Sequence, residues 1–108
     1  GERMAFQLAL YERTMAEGLK MADYRLLKKI AQCESGFRHF DKSGEVLAGR
    51  KNKADRGIFQ INLRAHAQTA MSGGYDLADP YGNIDYAVAL FKKSKTKPWL
   101  YSKSCWQN

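Results

Sequence analysis

The sequence predicts a mainly helical α+β fold, with about four helices packed beside one small antiparallel sheet. Apolar residues recur at helical spacing in four separate segments. Between residues 41 and 62 this period disappears, and short apolar pieces alternate with turn-forming residues. With 108 residues and no internal repeat, we expect residues 1–108 to form one domain.

The first two predicted helices have clear ends. The first runs over about Met4–Glu17, and Gly18 is its expected stop. The second runs from Asp23, a good N-cap residue, to Ser35, and Gly36 ends it. The stripe of the first helix that we expect to face the core is Met4, Leu8, Tyr11 and Met15.

The middle of the chain offers two short candidate strands, Val46–Leu47 and Ile58–Ile61. They are long enough only for a hairpin or a three-stranded patch. Asn62 is then expected to cap a third helix over Leu63–Met71.

A fourth helix is predicted after Asp79-Pro80, a capping residue followed by an N1 proline. Pro98 is expected to stop it, and the aromatic tail Trp99–Trp106 to pack back on the body. The side chains expected to face the core are Ile84, Ala87 or Val88, and Phe91.

Charge and hydropathy limit the classes of partner. The formal net charge of +7 favours polyanions such as nucleic acid, acidic lipid or the anionic cell wall. The basic residues match no nucleic-acid module, so we expect no specific nucleic-acid partner. No run approaches the roughly 18 apolar residues that a membrane span needs.

The two cysteines, Cys33 and Cys105, show neither CxxC spacing nor a nearby histidine cluster, so we expect no metal site. Either they form a disulfide or both are buried thiols. A disulfide would favour an oxidising, extracytoplasmic setting: periplasmic, wall-bound or secreted.

Glu34 has an unusual position for a carboxylate. It follows Leu27, Ile30 and Ala31 on the apolar face of the second helix. A carboxyl group out of water has a raised pKa and can donate a proton near neutral pH. The alternative is a structural glutamate paired with Arg or Lys.

The surroundings of Glu34 resemble the transglycosylase SLT family of the lysozyme-like superfamily. The similarity begins with the Glu34-Ser35 pair at a helix end and a Gly-x-x-Gln motif, Gly57 to Gln60. It continues through a helix containing His66, then Asn83-Ile84, and ends in Pro98-Trp99, Ser102 and Cys105-Trp106.

This resemblance implies a lysozyme-like fold with the cleft between helix and sheet, and Glu34 as general acid. It implies that Gln60 lines the sugar cleft and that Ser35 holds the helix end, unless Ser35 is simply a polar helix terminus. Asn62 is either a substrate contact or a plain N-cap. The Ala-Tyr-Asn motif of many members is missing, and Tyr101-Ser102 follows the last helix in its place.

The resemblance further implies cleavage of the β-1,4 bond between N-acetylmuramic acid and N-acetylglucosamine in peptidoglycan. We expect a monomer without metal or cofactor. A lytic transglycosylase needs one acid, which then acts as base and closes a 1,6-anhydro ring. A hydrolysing lysozyme would need water and a second carboxylate, and a non-catalytic wall-binding domain would need neither.

The second carboxylate has three candidates, Asp41, Glu45 and Asp55, all in polar turn-like segments. Asp55 is the best of them because it lies two residues before Gly57 at the expected cleft edge. The other two are expected to be solvated or turn-forming.

The histidines and aromatic residues give weaker signals. We expect His39 to be an exposed loop residue and His66 to be partly buried and hydrogen-bonded. Sugars stack on aromatic rings, and we expect Trp99 or Tyr101 to supply such a ring. The remaining aromatic candidates, Phe37, Phe59 and Trp106, are expected in the core.

Overall fold

A computed structural model describes all residues, Gly1–Asn108. The fold has five α-helices, one 3-10 helix and a two-stranded antiparallel sheet, which confirms the mainly helical α+β prediction. The elements are α1 (Glu2–Ala16), α2 (Met21–Ser35), β1 (Asp55–Arg56), β2 (Ile61–Asn62), α3 (Leu63–Ser72), α4 (Pro80–Ser94), the 3-10 helix (Lys97–Ser102) and α5 (Lys103–Trp106).

The core lies where α1, α2 and α4 meet. The predicted stripes of α2 and α4 are buried there, with Leu27, Ile30 and Ile84 fully enclosed. The tail after α4 packs back on α2, as predicted, and forms the 3-10 helix and α5.

The predicted core stripe of α1 is wrong. Met4 and Leu8 are exposed over 72% and 58% of their surfaces, whereas Phe6 and Leu10 are buried. Both sets recur at helical spacing, so α1 carries apolar residues on more than one face. Contact with α2 and α4 decides which face is covered.

Helix α2 begins two residues earlier than predicted, at Met21. Asp23 is not its N-cap residue but lies inside the first turn, where its carboxylate accepts from the Lys20 backbone N–H at 2.9 Å. The helix ends as predicted at Gly36, which is left-handed with φ of 66°. Glu34 therefore lies in the last turn of α2.

The sheet is a small hairpin, as predicted, but its strands lie largely outside the predicted segments. β1 pairs with β2 in the register Asp55 to Asn62 and Arg56 to Ile61. Val46 forms only an isolated bridge with Phe40. Ile58 and Phe59 are fully buried but lie in a turn, because Gly57 and Gln60 have positive φ values that an extended strand excludes.

The predicted caps of α3 and α4 are confirmed. The Asn62 side chain accepts from the Ala65 backbone N–H at 3.1 Å. Asp79 accepts from the backbone N–H groups of Tyr81 and Gly82. Pro98 is not the residue that ends α4, since the helix stops at Ser94 and the proline lies in the 3-10 helix.

The two cysteines form a disulfide, which confirms the first of the two alternatives. Cys33 lies in the last turns of α2 beside Glu34, and Cys105 lies in α5. The bond therefore joins the two elements across a sequence separation of 72 residues. None of the helices is both long and apolar enough to cross a bilayer.

Candidate active site

A cleft of about 670 Å³ opens between the end of α2, the sheet, α3 and the 3-10 helix. Its volume is typical of a small-ligand site. It is lined by six of the residues predicted from sequence: Glu34, Asp55, Gln60, Asn62, Trp99 and Tyr101. Ser35 does not line this cleft. Lining residues that were not predicted to contact substrate include Lys51, Asn52, His66 and Ser102.

Glu34 is half-buried and lines the cleft. Its Oε2 atom accepts a hydrogen bond from the Ser102 hydroxyl at 2.5 Å. The alternative of a structural ion pair is wrong, because the two salt bridges of the molecule are Arg13–Asp85 and Lys92–Glu17. The acid thus has a neutral partner and no cationic one.

Burial raises the pKa of Glu34 above its ordinary value because a carboxylate is poorly solvated there. The hydrogen bond from Ser102 lowers this pKa, and the negative charge of Asp55 raises it. Burial is the largest influence, so the group retains its proton to higher pH than a free glutamic acid.

The Ser102 hydroxyl also forms hydrogen bonds with two tryptophans. Trp106 Nε1 lies 3.1 Å from Ser102 Oγ and donates to it, and the Trp99 carbonyl lies 3.2 Å from both groups. A hydroxyl has a single proton to donate. When Ser102 donates that proton to Glu34, Trp106 can still supply a donor to the Ser102 oxygen.

Ser102 was named from the sequence as part of the family resemblance, without a role, and the disulfide is the signal that would have placed it near the acid. Cys33 precedes Glu34 directly, and Ser102 lies three residues before Cys105. Residues three apart on a helix lie on one face. Pairing the cysteines therefore brings Ser102 toward the acid.

Ser35 is buried, with only 5% of its surface exposed. Its hydroxyl lies 2.7 Å from the Ile58 carbonyl oxygen and donates to it. This bond joins the end of α2 to the turn from Gly57 to Gln60, so the contacts of Ser35 are structural.

Gln60 lies at the junction of that turn and the cleft. Its φ is 49°, an uncommon conformation for a residue with a side chain. Its amide nitrogen donates to the carbonyl oxygens of Gly57 at 3.0 Å and Leu47 at 3.3 Å. The side chain is thus fixed in the wall of the cleft.

Two buried side chains, His39 and Asn83, clamp the same turn. The prediction that His39 is an exposed loop residue is wrong, because only 1% of its surface is exposed. Its Nδ1 accepts from the Ile58 N–H at 3.3 Å, and its Nε2 donates to the Ala78 carbonyl at 2.8 Å. Burial lowers its pKa below the ordinary value, which favours the neutral imidazole.

Asn83 makes three hydrogen bonds in this region and is fully buried. Its Oδ1 accepts from the Phe59 N–H at 3.0 Å, and its Nδ2 donates to the carbonyls of Arg56 and Leu77. Gly57 passes so close that a Cβ there would lie 2.5 Å from the His39 ring and 2.6 Å from Asn83. A larger residue at 57 would displace the clamp.

Asn62 caps α3 and also holds Asp55. Its Nδ2 donates to Asp55 Oδ1 at 2.9 Å while its Oδ1 accepts from Ala65. The capping alternative therefore agrees with the structure, and both side chains line the cleft. Asp41 and Glu45 lie outside the cleft and are exposed.

The two aromatic candidates for sugar stacking differ in exposure. Only 2% of the surface of Trp99 is exposed, and its Nε1 donates to the Phe59 carbonyl at 2.9 Å. Its predicted stacking role therefore does not agree with its burial. The Tyr101 ring is fully exposed at the rim, where a sugar can reach it.

His66 lines the cleft from α3 and is half-buried, as predicted. Its Nδ1 lies 3.0 Å from the Tyr86 hydroxyl. Burial lowers its pKa. No group of three or more His, Cys, Asp or Glu side chains is arranged to hold a metal ion.

A profile of the Transglycosylase SLT domain family matches residues 13–100, which is most of the chain. The chain belongs to this family. The SLT domain assignment includes Glu34, the turn at Gly57–Gln60 and α4, and supports a lysozyme-like fold. It also supports a transglycosylase-type activity on peptidoglycan. Comparison with curated proteins and with solved structures finds no match.

Proposed function

We propose that this SLT domain, residues 1–108, is a monomeric lytic transglycosylase that needs neither metal nor cofactor. It cleaves the β-1,4 bond between N-acetylmuramic acid and N-acetylglucosamine. The observation that supports this most directly is Glu34, a desolvated carboxyl group in a cleft, with a hydroxyl partner and no cation.

In the first step, protonated Glu34 donates its proton to the glycosidic oxygen, and the bond from that oxygen to C1 of the muramic acid breaks. The N-acetylglucosamine side leaves with its hydroxyl restored. The muramic acid becomes an oxocarbenium-like species, and the Glu34 carboxylate that remains accepts the Ser102 hydrogen bond.

In the second step, the carboxylate takes the proton of the sugar's own 6-hydroxyl, whose oxygen bonds to C1. The product is a 1,6-anhydro ring, and Glu34 ends protonated as it began. One acid with a suitably raised pKa performs both steps. Ser102 stabilises the ionised form between them, and burial favours return to the protonated form.

Hydrolysis is the second candidate, because Asp55 lines the same cleft as Glu34. In that reaction Asp55 would assist a water molecule or stabilise the charged sugar. Mass spectrometry of the released glycan separates the two reactions, since the anhydro product is lighter than the hydrolytic one by one water. We expect the anhydro product.

The central test is Glu34→Gln. We expect loss of at least about 100-fold in the rate of peptidoglycan cleavage, measured by turbidity, because an amide cannot act as general acid. Glu12→Gln, at an exposed position on α1, is the matched control and keeps the rate. Unchanged turbidity clearing by Glu34→Gln would support a non-catalytic wall-binding domain instead.

We expect the protein to act outside the cytoplasm. The disulfide favours an oxidising compartment, and peptidoglycan lies outside the cytoplasm. The net charge of +7 would assist adsorption to the anionic wall.

A further inference from the structure

A second depression adjoins the cleft on the other side of Glu34. It has a volume of about 400 Å³ and shares Glu34 and Gln60 with the main cleft. Its walls are the end of α2 and the segment Leu47–Arg50. A ligand in it therefore lies directly beside the acid.

This depression is lined by two guanidinium groups, from Arg38 and Arg50, and both side chains are exposed. A third guanidinium, from Arg3, reaches Gly36, where its Nη2 lies 4.0 Å from the position that a Cβ would occupy. Glu34 is the only acidic residue among the lining side chains. Guanidinium groups therefore outnumber carboxyl groups in and beside this depression.

None of these guanidinium groups is neutralised by the protein. Both salt bridges of the molecule lie elsewhere, at Arg13–Asp85 and Lys92–Glu17. Arg38 uses its Nε to donate to the Ser35 carbonyl at 3.0 Å, which leaves its terminal nitrogens free and fixes the direction of its side chain. Arg50 makes no side-chain hydrogen bond to the protein, so its guanidinium is available to a ligand.

We infer that Arg38 and Arg50 form a carboxylate-binding site for the peptide stem of the glycan strand. This inference rests on the proposed function. Stem peptides are attached to the lactyl group of muramic acid and carry free carboxylates, and guanidinium groups bind carboxylates with two parallel hydrogen bonds. Because the depression adjoins Glu34, the stem it holds belongs to a sugar next to the cleaved bond.

The site makes the enzyme selective for strands that carry stems. The test compares Arg50→Gln with wild type on two substrates, intact strands and the same strands after an amidase has removed the stems. We expect the ratio of kcat/KM on intact strands to that on bare strands to fall about tenfold, as expected for a lost charge-assisted hydrogen bond. Arg38→Gln is the second variant, with the same expected fall.

Arg25→Gln is the matched control because it removes one exposed guanidinium that does not line the depression. Arg25 precedes Glu34 by nine residues, which places it on the opposite face of α2. We expect its ratio to equal that of wild type. A similar fall in this variant would overturn the inference, since the effect would then come from net charge alone.

Two further outcomes separate the inference from the proposed function. If wild type cleaves neither substrate, the proposed function fails. If wild type cleaves both with equal efficiency, or if Arg50→Gln lowers both rates equally, the stem site is wrong while the cleavage activity stands.

Discussion

The carboxyl group of Glu34 is subject to opposing influences from its neighbours. Burial and the charge of Asp55 favour its protonated form, whereas the Ser102 hydroxyl favours the ionised form. The proposed reaction needs both forms in turn, so these neighbours set the pH range in which the enzyme works. Replacing each neighbour should move that range in a different direction.

Ser102→Ala removes the hydrogen bond that stabilises the carboxylate, and so raises the pKa of Glu34 further. Because the first step needs the protonated acid, the fall of kcat/KM at high pH should move to higher pH. We expect kcat at the optimum to drop about tenfold, since the carboxylate between the steps loses a charged hydrogen bond. The measurement is a pH–rate profile on purified peptidoglycan.

Ser102→Thr keeps the hydroxyl and is the control for this experiment. It should restore both the position of the high-pH limb and most of the rate. A profile for Ser102→Ala that coincides with wild type would show that the hydroxyl does not act on the acid.

Asp55→Asn should move the profile in the opposite direction. Removing the negative charge that raises the pKa of Glu34 brings the high-pH limb to lower pH. The amide keeps an oxygen that can accept from Asn62, so we expect the optimum rate to fall less than tenfold. A loss of about 100-fold or more in the same assay would instead favour hydrolysis with Asp55 as the second carboxylate.

At the scale of elements, the turn from Gly57 to Gln60 connects β1 to β2 and is also held by side chains from outside the sheet. Ser35, His39 and Asn83 each bind a backbone group of Ile58 or Phe59. Ser35 ends α2, His39 follows it by four residues, and Asn83 lies in α4. Besides the local hydrogen bonds between Gln60 and Gly57, these contacts with residues distant in sequence hold the turn in which Gln60 has its left-handed conformation.

Asn83→Ala tests how much these side-chain hydrogen bonds to the turn stabilise the fold. It leaves the Phe59 N–H and the Arg56 and Leu77 carbonyls without their partner in the buried interior. Losing such bonds costs about 1–3 kcal/mol each, and we expect a loss of about 3 kcal/mol in the free energy of unfolding by urea denaturation. Asp79→Ala, which removes only the cap of α4, should cost about 1 kcal/mol. Equal losses of unfolding free energy in the two variants would contradict a stabilising role of Asn83 in the turn.

Helix ends were more predictable than strands because their signals are local. Asn62 and Asp79 cap the helices that follow them, as their side chains and positions indicate. The apolar run Ile58–Ile61 has the composition of a strand, yet its first residues are buried in a turn. The apolar composition of this run correctly indicates that it is buried. It does not indicate the backbone conformation, which is a turn because Gly57 and Gln60 are left-handed.

At the scale of the whole molecule, the disulfide joins the two elements that meet at the acid. Cys33 is adjacent to Glu34, and Cys105 is adjacent to Trp106, which supports Ser102. The loop that it closes spans most of the chain. The same bond therefore affects both the stability of the fold and the geometry at Glu34.

The double variant Cys33→Ser, Cys105→Ser should lower the free energy of unfolding by about 4 kcal/mol, because the unfolded chain regains the entropy of a long open loop. We also expect a lower kcat at temperatures where the variant is folded, since α5 is less firmly held beside α2. Urea denaturation and turbidity assays measure the two effects. A variant with wild-type stability would show that noncovalent packing of α5 is sufficient.

Spacing and capping are local patterns, and they were enough to predict α1 to α4, the caps of α3 and α4, and the place of Glu34 after Leu27, Ile30 and Ala31. Packing between distant segments places Ser102, 68 residues away in the chain, where it donates to that acid, and it buries His39. It also selected the face of α1 that meets the core. These outcomes depend on contacts between distant segments, which leave no periodic signal in the chain.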